Sequence, residues 1–164
     1  MDETKSDYIE HEMDSGDAII VRWEEKYTTG IEVIDNQHKQ LILLTNQLYQ
    51  ACLAREQTLE TAFKDALKRM VEYVHFHFSA EEEILQRIKF PNYADHKKQH
   101  TDLVKRILEA SKNFEKGERF VANRFVITLK DWVFGHIGFY DRIYSSYVAE
   151  QKKKGLLSDR QITG

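Results

Sequence analysis

The sequence predicts an all-α protein: an antiparallel, up-down-up-down four-helix bundle preceded by an N-terminal arm. Three observations carry this. One proline and seven glycines in 164 residues leave few places where a helix must break. Apolar residues recur at helical spacing over most of residues 35–149, and 41% hydrophobic content is enough to fill one core. The breaks that do occur are short and polar, which favours antiparallel neighbours over long crossovers.

The elements follow in order. Residues 1–34 lack helical periodicity and include Gly16, Gly30 and the β-branched run Ile19 to Val21, so they read as an arm laid on the bundle with Trp23 as its anchor. The first helix is expected from Asp35 or Asn36, either of which can cap it, to about Ala54, with Leu41, Leu44, Leu48 and Cys52 on one stripe. A polar turn over residues 55–57 ends it. Thr58 is expected to cap a second helix, whose stripe of Phe63, Leu67, Met70 and Val74 continues to about Ile88 before Pro91 forbids extension. Asn92 is placed to cap a third helix ending near Lys116, where Gly117 suits a C-terminal stop. A fourth runs from about Glu118 to Val148. Residues 150–164, opening on Lys152-Lys153-Lys154-Gly155 after two further residues, form a polar tail expected to fray.

Composition narrows the function classes. The 24 Lys plus Arg against 27 Asp plus Glu leave a net charge of −3 with no sustained run of one sign. A nucleic-acid or anionic-membrane binder would show a basic stripe, so neither partner is expected. Cys52 stands alone, which excludes a disulfide scaffold. The first residues carry Asp2, Glu3, Asp7, Glu10 and Glu12 where a secretory signal would be basic and then apolar, so a cytoplasmic location is expected.

Seven histidines are many for this length, and their placement is informative. His75 and His77 cannot both face inward, because two residues on a helix turn it by about 200°. His77 continues the stripe of Phe63, Leu67, Met70 and Val74, and Glu81 follows on the same face. His75 shares its side with Lys64, Lys68, Ser79 and Glu82 and is expected in solvent. In the third helix His96 and His100 are collinear with Leu103, Ile107 and Phe114; in the fourth His136 is in line with Phe125, Leu129 and Trp132, with Asp141 five residues on; in the first His38 precedes Leu41, Ile42 and Thr45.

A single inward histidine is more often an ordinary core residue than a ligand. Five inward imidazoles with two inward carboxylates would need many hydrogen-bond partners that hydrocarbon stripes do not supply. A buried polycation satisfies them together, since neutral imidazole offers a lone pair and carboxylates neutralise charge. Seven donors exceed one tetrahedral zinc, and Lys97 after His96 breaks a His-Glu-x-x-His protease pattern. The number of nitrogens favours a borderline metal such as iron, as two ions bridged by Glu81 and Asp141. His136 and Asp141 lie about 140° apart on an ideal helix. Either both reach in from the stripe edges or the helix widens locally, where Gly135 and Gly138 leave backbone room.

These residues resemble the hemerythrin family, in particular its single-domain bacterial members. The resemblance rests on Asn36-Gln37-His38, His77-Phe78-Ser79-Ala80-Glu81-Glu82, Tyr93-Ala94-Asp95-His96 with His100, and Trp132-Val133-Phe134-Gly135-His136-Ile137 with Asp141, over about residues 23–147. It implies a non-haem centre of two iron ions that binds dioxygen reversibly and is not an enzyme. His96, His100 and His136 would hold one iron, His38 and His77 the second, and Glu81, Asp141 and a solvent-derived oxygen would bridge them. Ile42, Phe78, Trp132, Val133 and Ile137 are candidate walls of a dry oxygen pocket; Val133 stands where the family commonly carries leucine. Three function classes follow: an oxygen carrier, store or delivery protein; an oxygen or redox sensor acting on a protein partner the sequence does not identify; and a di-iron oxidase or peroxidase.

Overall fold

The computed structural model describes residues 18–54, 56–118 and 120–163, and among these it contains helices and turns but no strand. Helices α1 (Glu32–Cys52), α2 (Glu56–Arg87) and α3 (Tyr93–Glu115) are three rods of the bundle. The fourth is composite: α4 (Phe120–Gly135), one turn of π-helix (His136–Tyr140) and α5 (Asp141–Lys153). The rods neighbour one another in the ring α1, α2, α3, fourth rod. Their antiparallel order shows in one apolar cluster that joins the start of α1 (Ile34), the end of α2 with the residue after it (Ile84, Leu85, Ile88), the start of α3 (Tyr93) and the α5 part of the fourth rod (Tyr144, Val148).

Several boundaries differ from expectation. α1 begins at Glu32, three residues before Asp35, because Asp35 reaches back into the preceding loop instead of capping the helix. Its Oδ1 accepts from the amide and hydroxyl of Thr29, each at 2.7 Å, and its Oδ2 from the amide of Gly30 at 3.2 Å. Gly30 there has φ +79°, a conformation glycine adopts without strain. α2 starts at Glu56, so Thr58 lies inside the helix and the turn is shorter than residues 55–57. Asn92 precedes α3 as expected, although its side chain makes no capping bond. Gly117, at φ +89°, ends α3 in the left-handed conformation.

Of the arm, residues 1–17 lie outside the described residues. The described part is pinned by Asn46, whose Oδ1 accepts from the amides of Ile20 and Val21 and whose Nδ2 donates to the Val21 carbonyl at 2.8 Å. Val21 and Tyr27 are buried, whereas Trp23 is half-buried and packs edge-on to Tyr27; the anchor is therefore shared and does not rest on Trp23 alone. Among the described residues the C-terminal segment is docked helix where a loose polar tail was expected. After Gly155 (φ +70°) the chain folds back into α6 (Asp159–Thr163), burying Ile162 to 1% exposure while Arg87 Nη1 donates to its carbonyl.

The apolar interior has two parts. The larger contains Leu41, Leu48, Phe63, Met70, Leu103, Ile107, Leu129 and Val133. The smaller contains Ile34, Leu85, Ile88, Tyr144 and Ile162. Along every rod a polar band separates them: His38 between Ile34 and Leu41, His77 and Glu81 between Val74 and Ile84, His96 and His100 between Tyr93 and Leu103, and His136 and Asp141 around Ile137 before Tyr144. No helix among the described residues is long and apolar enough to cross a membrane.

Candidate metal centre

The seven side chains singled out in the sequence meet in this band, and all are buried. α1 supplies His38, α2 His77 and Glu81, α3 His96 and His100, the π-turn His136, and α5 Asp141. The π-turn resolves the spacing of the last two. The Asp141 amide donates to the His136 carbonyl, an i+5 to i bond that widens the helix and brings both side chains to one side. His75, as expected, is exposed.

Glu81 is central. Its Oε2 lies 3.0 Å from His100 Nε2 and 3.1 Å from His96 Nε2, and its Oε1 accepts from the Tyr144 hydroxyl at 2.6 Å. Asp141 turns Oδ2 to His38 Nε2 and Oδ1 to His136 Nε2, each at 3.2 Å, but neither approach is directed as a hydrogen bond. Two groups of donors lie within ion-binding reach: Glu81, His96, His100 and His136, and His38, His77 and Glu81.

Protons alone do not satisfy this cage. His38 Nδ1 and Nε2, His77 Nε2, His136 Nδ1 and both Asp141 oxygens have no hydrogen-bond partner among the described residues, although each is buried. His100 Nε2 and His136 Nε2 sit 3.0 Å apart, two nitrogens aimed at one another's space. Burial drives the His77 imidazole down to about 3 and His38 and His136 below their ordinary range. Burial also pushes Asp141 well above the usual carboxylate range, with the charge of Glu81 adding to it. His100 goes the other way: desolvation opposes its charge, but hydrogen bonds to Glu81 and Glu82 prevail and raise it to about 9. Glu81 is held well below the carboxylate range because the bonds from His100 and His96 outweigh its desolvation. A neutral imidazole with an orphaned inward nitrogen and a carboxylate with two bare oxygens are ligand groups, and a cation fits them.

The surrounding side chains fix these donors. His77 Nδ1 donates to Gln37 Oε1 at 2.9 Å and His100 Nδ1 to Glu82 Oε1 at 3.0 Å, which turns each Nε2 toward the middle of the cage. Phe78 lies flat on His100 (3.7 Å between centroids, 5° between planes), and Trp132 lies flat on His136 (4.2 Å, 12°). Gln37, Glu82 and Tyr144 were missed as site residues. Glu82, grouped with the solvated side of α2, is only 16% exposed and turns toward α3. Gln37 was within reach, since it directly precedes His38, and so was Tyr144, an inward hydroxyl three residues after Asp141.

Ile42, Phe78, Val133 and Ile137 are buried in the larger cluster, and Trp132 packs against it. A cavity of about 290 Å³ lies between α2 and α3, bounded by Val74, Phe78, Glu82, His100 and Ile107. Of the five candidate pocket walls, only Phe78 lines it.

Comparison with known proteins gives a consistent result. Residues 29–148 match the family model described as Hemerythrin HHE cation binding domain. A bacteriohemerythrin of Stenotrophomonas maltophilia is 31% identical over 131 residues, 80% of this chain and 82% of that protein. One from Pseudomonas aeruginosa is 31% identical over 144 residues, 83% of this chain and 92% of that protein. The crystal structure of a hemerythrin point mutant superposes with a TM-score of 0.68 at 26% identity, covering 79% of this chain and 97% of that one.

Proposed function

The chain belongs to the hemerythrin family, and from that premise we propose that it binds dioxygen reversibly at a centre of two iron ions, as an oxygen carrier, store or delivery protein. The donor set carries this reading: five imidazoles and two carboxylates, all buried, around one cage. His96, His100 and His136 would hold one ion, and His38 and His77 the other. Glu81 and Asp141 would lie between them. In support, Glu81 belongs to both donor groups, and Asp141 offers one oxygen to each side. When bound, a ferrous pair would supply the two electrons that dioxygen takes up on binding and returns on release.

The chain's own side chains do the rest. Tyr144 holds Glu81 in place, Gln37 and Glu82 set the rotation of His77 and His100, and Phe78 and Trp132 brace two imidazole planes. Ile42, Val133 and Ile137 add hydrocarbon that keeps water from the bound gas. An imidazole-rich set carries less negative charge than the glutamate-rich sets of ferritin-like di-iron enzymes, which favours binding over oxygen activation. We therefore read the protein as a binding module and not an enzyme, placed in the cytoplasm with its one cysteine free and buried.

Anaerobic purification followed by metal analysis and visible spectra tests this. Two iron ions per chain, and a band that appears with air and disappears on deoxygenation through repeated cycles, are expected. Iron-free protein, or irreversible bleaching with sustained substrate turnover, overturns the reading.

A further inference from the structure

We propose that Glu82 is a positioning residue that sets how strongly His100 donates to the metal, and that Lys97 adjusts it from the surface; this rests on the iron reading above. Among the described residues His100 is the one cage imidazole whose Nδ1 meets a carboxylate. His77 meets the neutral amide of Gln37, and His38 and His136 have no hydrogen-bond partner at Nδ1 among the described residues. An Nδ1–H that donates to a carboxylate leaves its ring richer in electrons than one that donates to an amide, so Nε2 becomes the stronger donor.

The carboxylate is itself held. Glu82 Oε2 accepts from Lys97 Nζ at 2.8 Å while Oε1 accepts from His100, so α3 grips one α2 carboxylate at two points three residues apart. Phe78, one turn before Glu82 on α2, lies flat on the His100 ring and braces its plane. Glu82 is 16% exposed and Lys97 is 52% exposed, so the line runs from solvent to a metal-facing nitrogen through a single carboxylate. The lysine draws charge from Glu82 and weakens it as an acceptor for His100. Losing that cation strengthens the acceptor, and losing the carboxylate's charge weakens it.

The two substitutions should therefore act in opposite directions. The test uses iron-loaded full-length wild type, Glu82→Gln, Lys97→Met and a control, Glu83→Gln. The control removes the same charge from an exposed neighbour paired with Arg87. Midpoint potential and the rate of iron loss to a chelator are measured. Glu82→Gln is expected to raise the potential and to speed iron loss by roughly 10–100-fold. Lys97→Met should lower the potential, and Glu83→Gln should leave both readings unchanged. Glu82→Gln and Lys97→Met moving the potential the same way, or not departing from the control, overturns the proposal. If Glu82→Gln does not fold, the surface variant decides alone: a potential that stays or rises with Lys97→Met overturns it. A wild type that takes up no iron overturns this and the iron reading together, whereas iron-loaded variants that match the wild type overturn this one only.

Discussion

Val133 is fully buried in the larger apolar cluster together with Ile137 and Phe78. One more methylene there adds hydrocarbon beside the centre in a packed interior, at an overpacking cost of about 1–3 kcal/mol in stability. Val133→Leu is accordingly expected to slow autoxidation, followed as the decay of the oxygen-dependent band in air-equilibrated buffer; an unchanged or faster decay would reject the idea. At this scale the donors themselves were legible, because a charged or imidazole side chain on a hydrocarbon stripe needs an explanation that only a few chemistries provide. Their supports were not. Whether Glu82 faces solvent or His100 depends on how α2 is rotated against α3, and helical spacing within α2 alone leaves that open. The Asp35 bonds to Thr29 and Gly30 were hidden for a related reason: an aspartate near a helix start serves equally as a cap or as a clasp for the loop before it.

Among the elements, the π-turn and α6 teach different lessons. The π-turn was foreshadowed by arithmetic, since His136 and Asp141 share a site only if the backbone departs from 3.6 residues per turn. α6 was not. Five residues of mixed polarity give no periodic signal, and their order comes from Ile162 settling on Ile84, Leu85 and Ile88 and from Arg87 donating to its carbonyl. Ile162→Ala should release this segment without unfolding the rods. Limited trypsin digestion followed by mass spectrometry is expected to show faster loss of the chain after Lys154 in the variant than in the wild type. Equal rates would mean that Ile162 contributes nothing to docking.

Viewed whole, the molecule has two hydrocarbon masses parted by a polar waist. Each mass joins the rods on its own side of the cage, so helices are expected to persist when the metal is stripped. The waist then keeps its unpartnered imidazole and carboxylate atoms, and the folded state loses the stabilisation that a ligand specific to it confers, about 4 kcal/mol at a thousandfold excess over Kd. Calorimetry of iron-loaded and chelator-treated protein should show a lower melting temperature after stripping with helical circular dichroism retained; superimposable melts would count against a resident ion. The waist has a bearing on folding as well. Were any one rod to slide by a turn, an isoleucine or leucine would be set against a carboxylate and an imidazole stranded in oil. The cage thus serves as a registration mark, selecting a single alignment of four rods where a purely greasy interior would accept several.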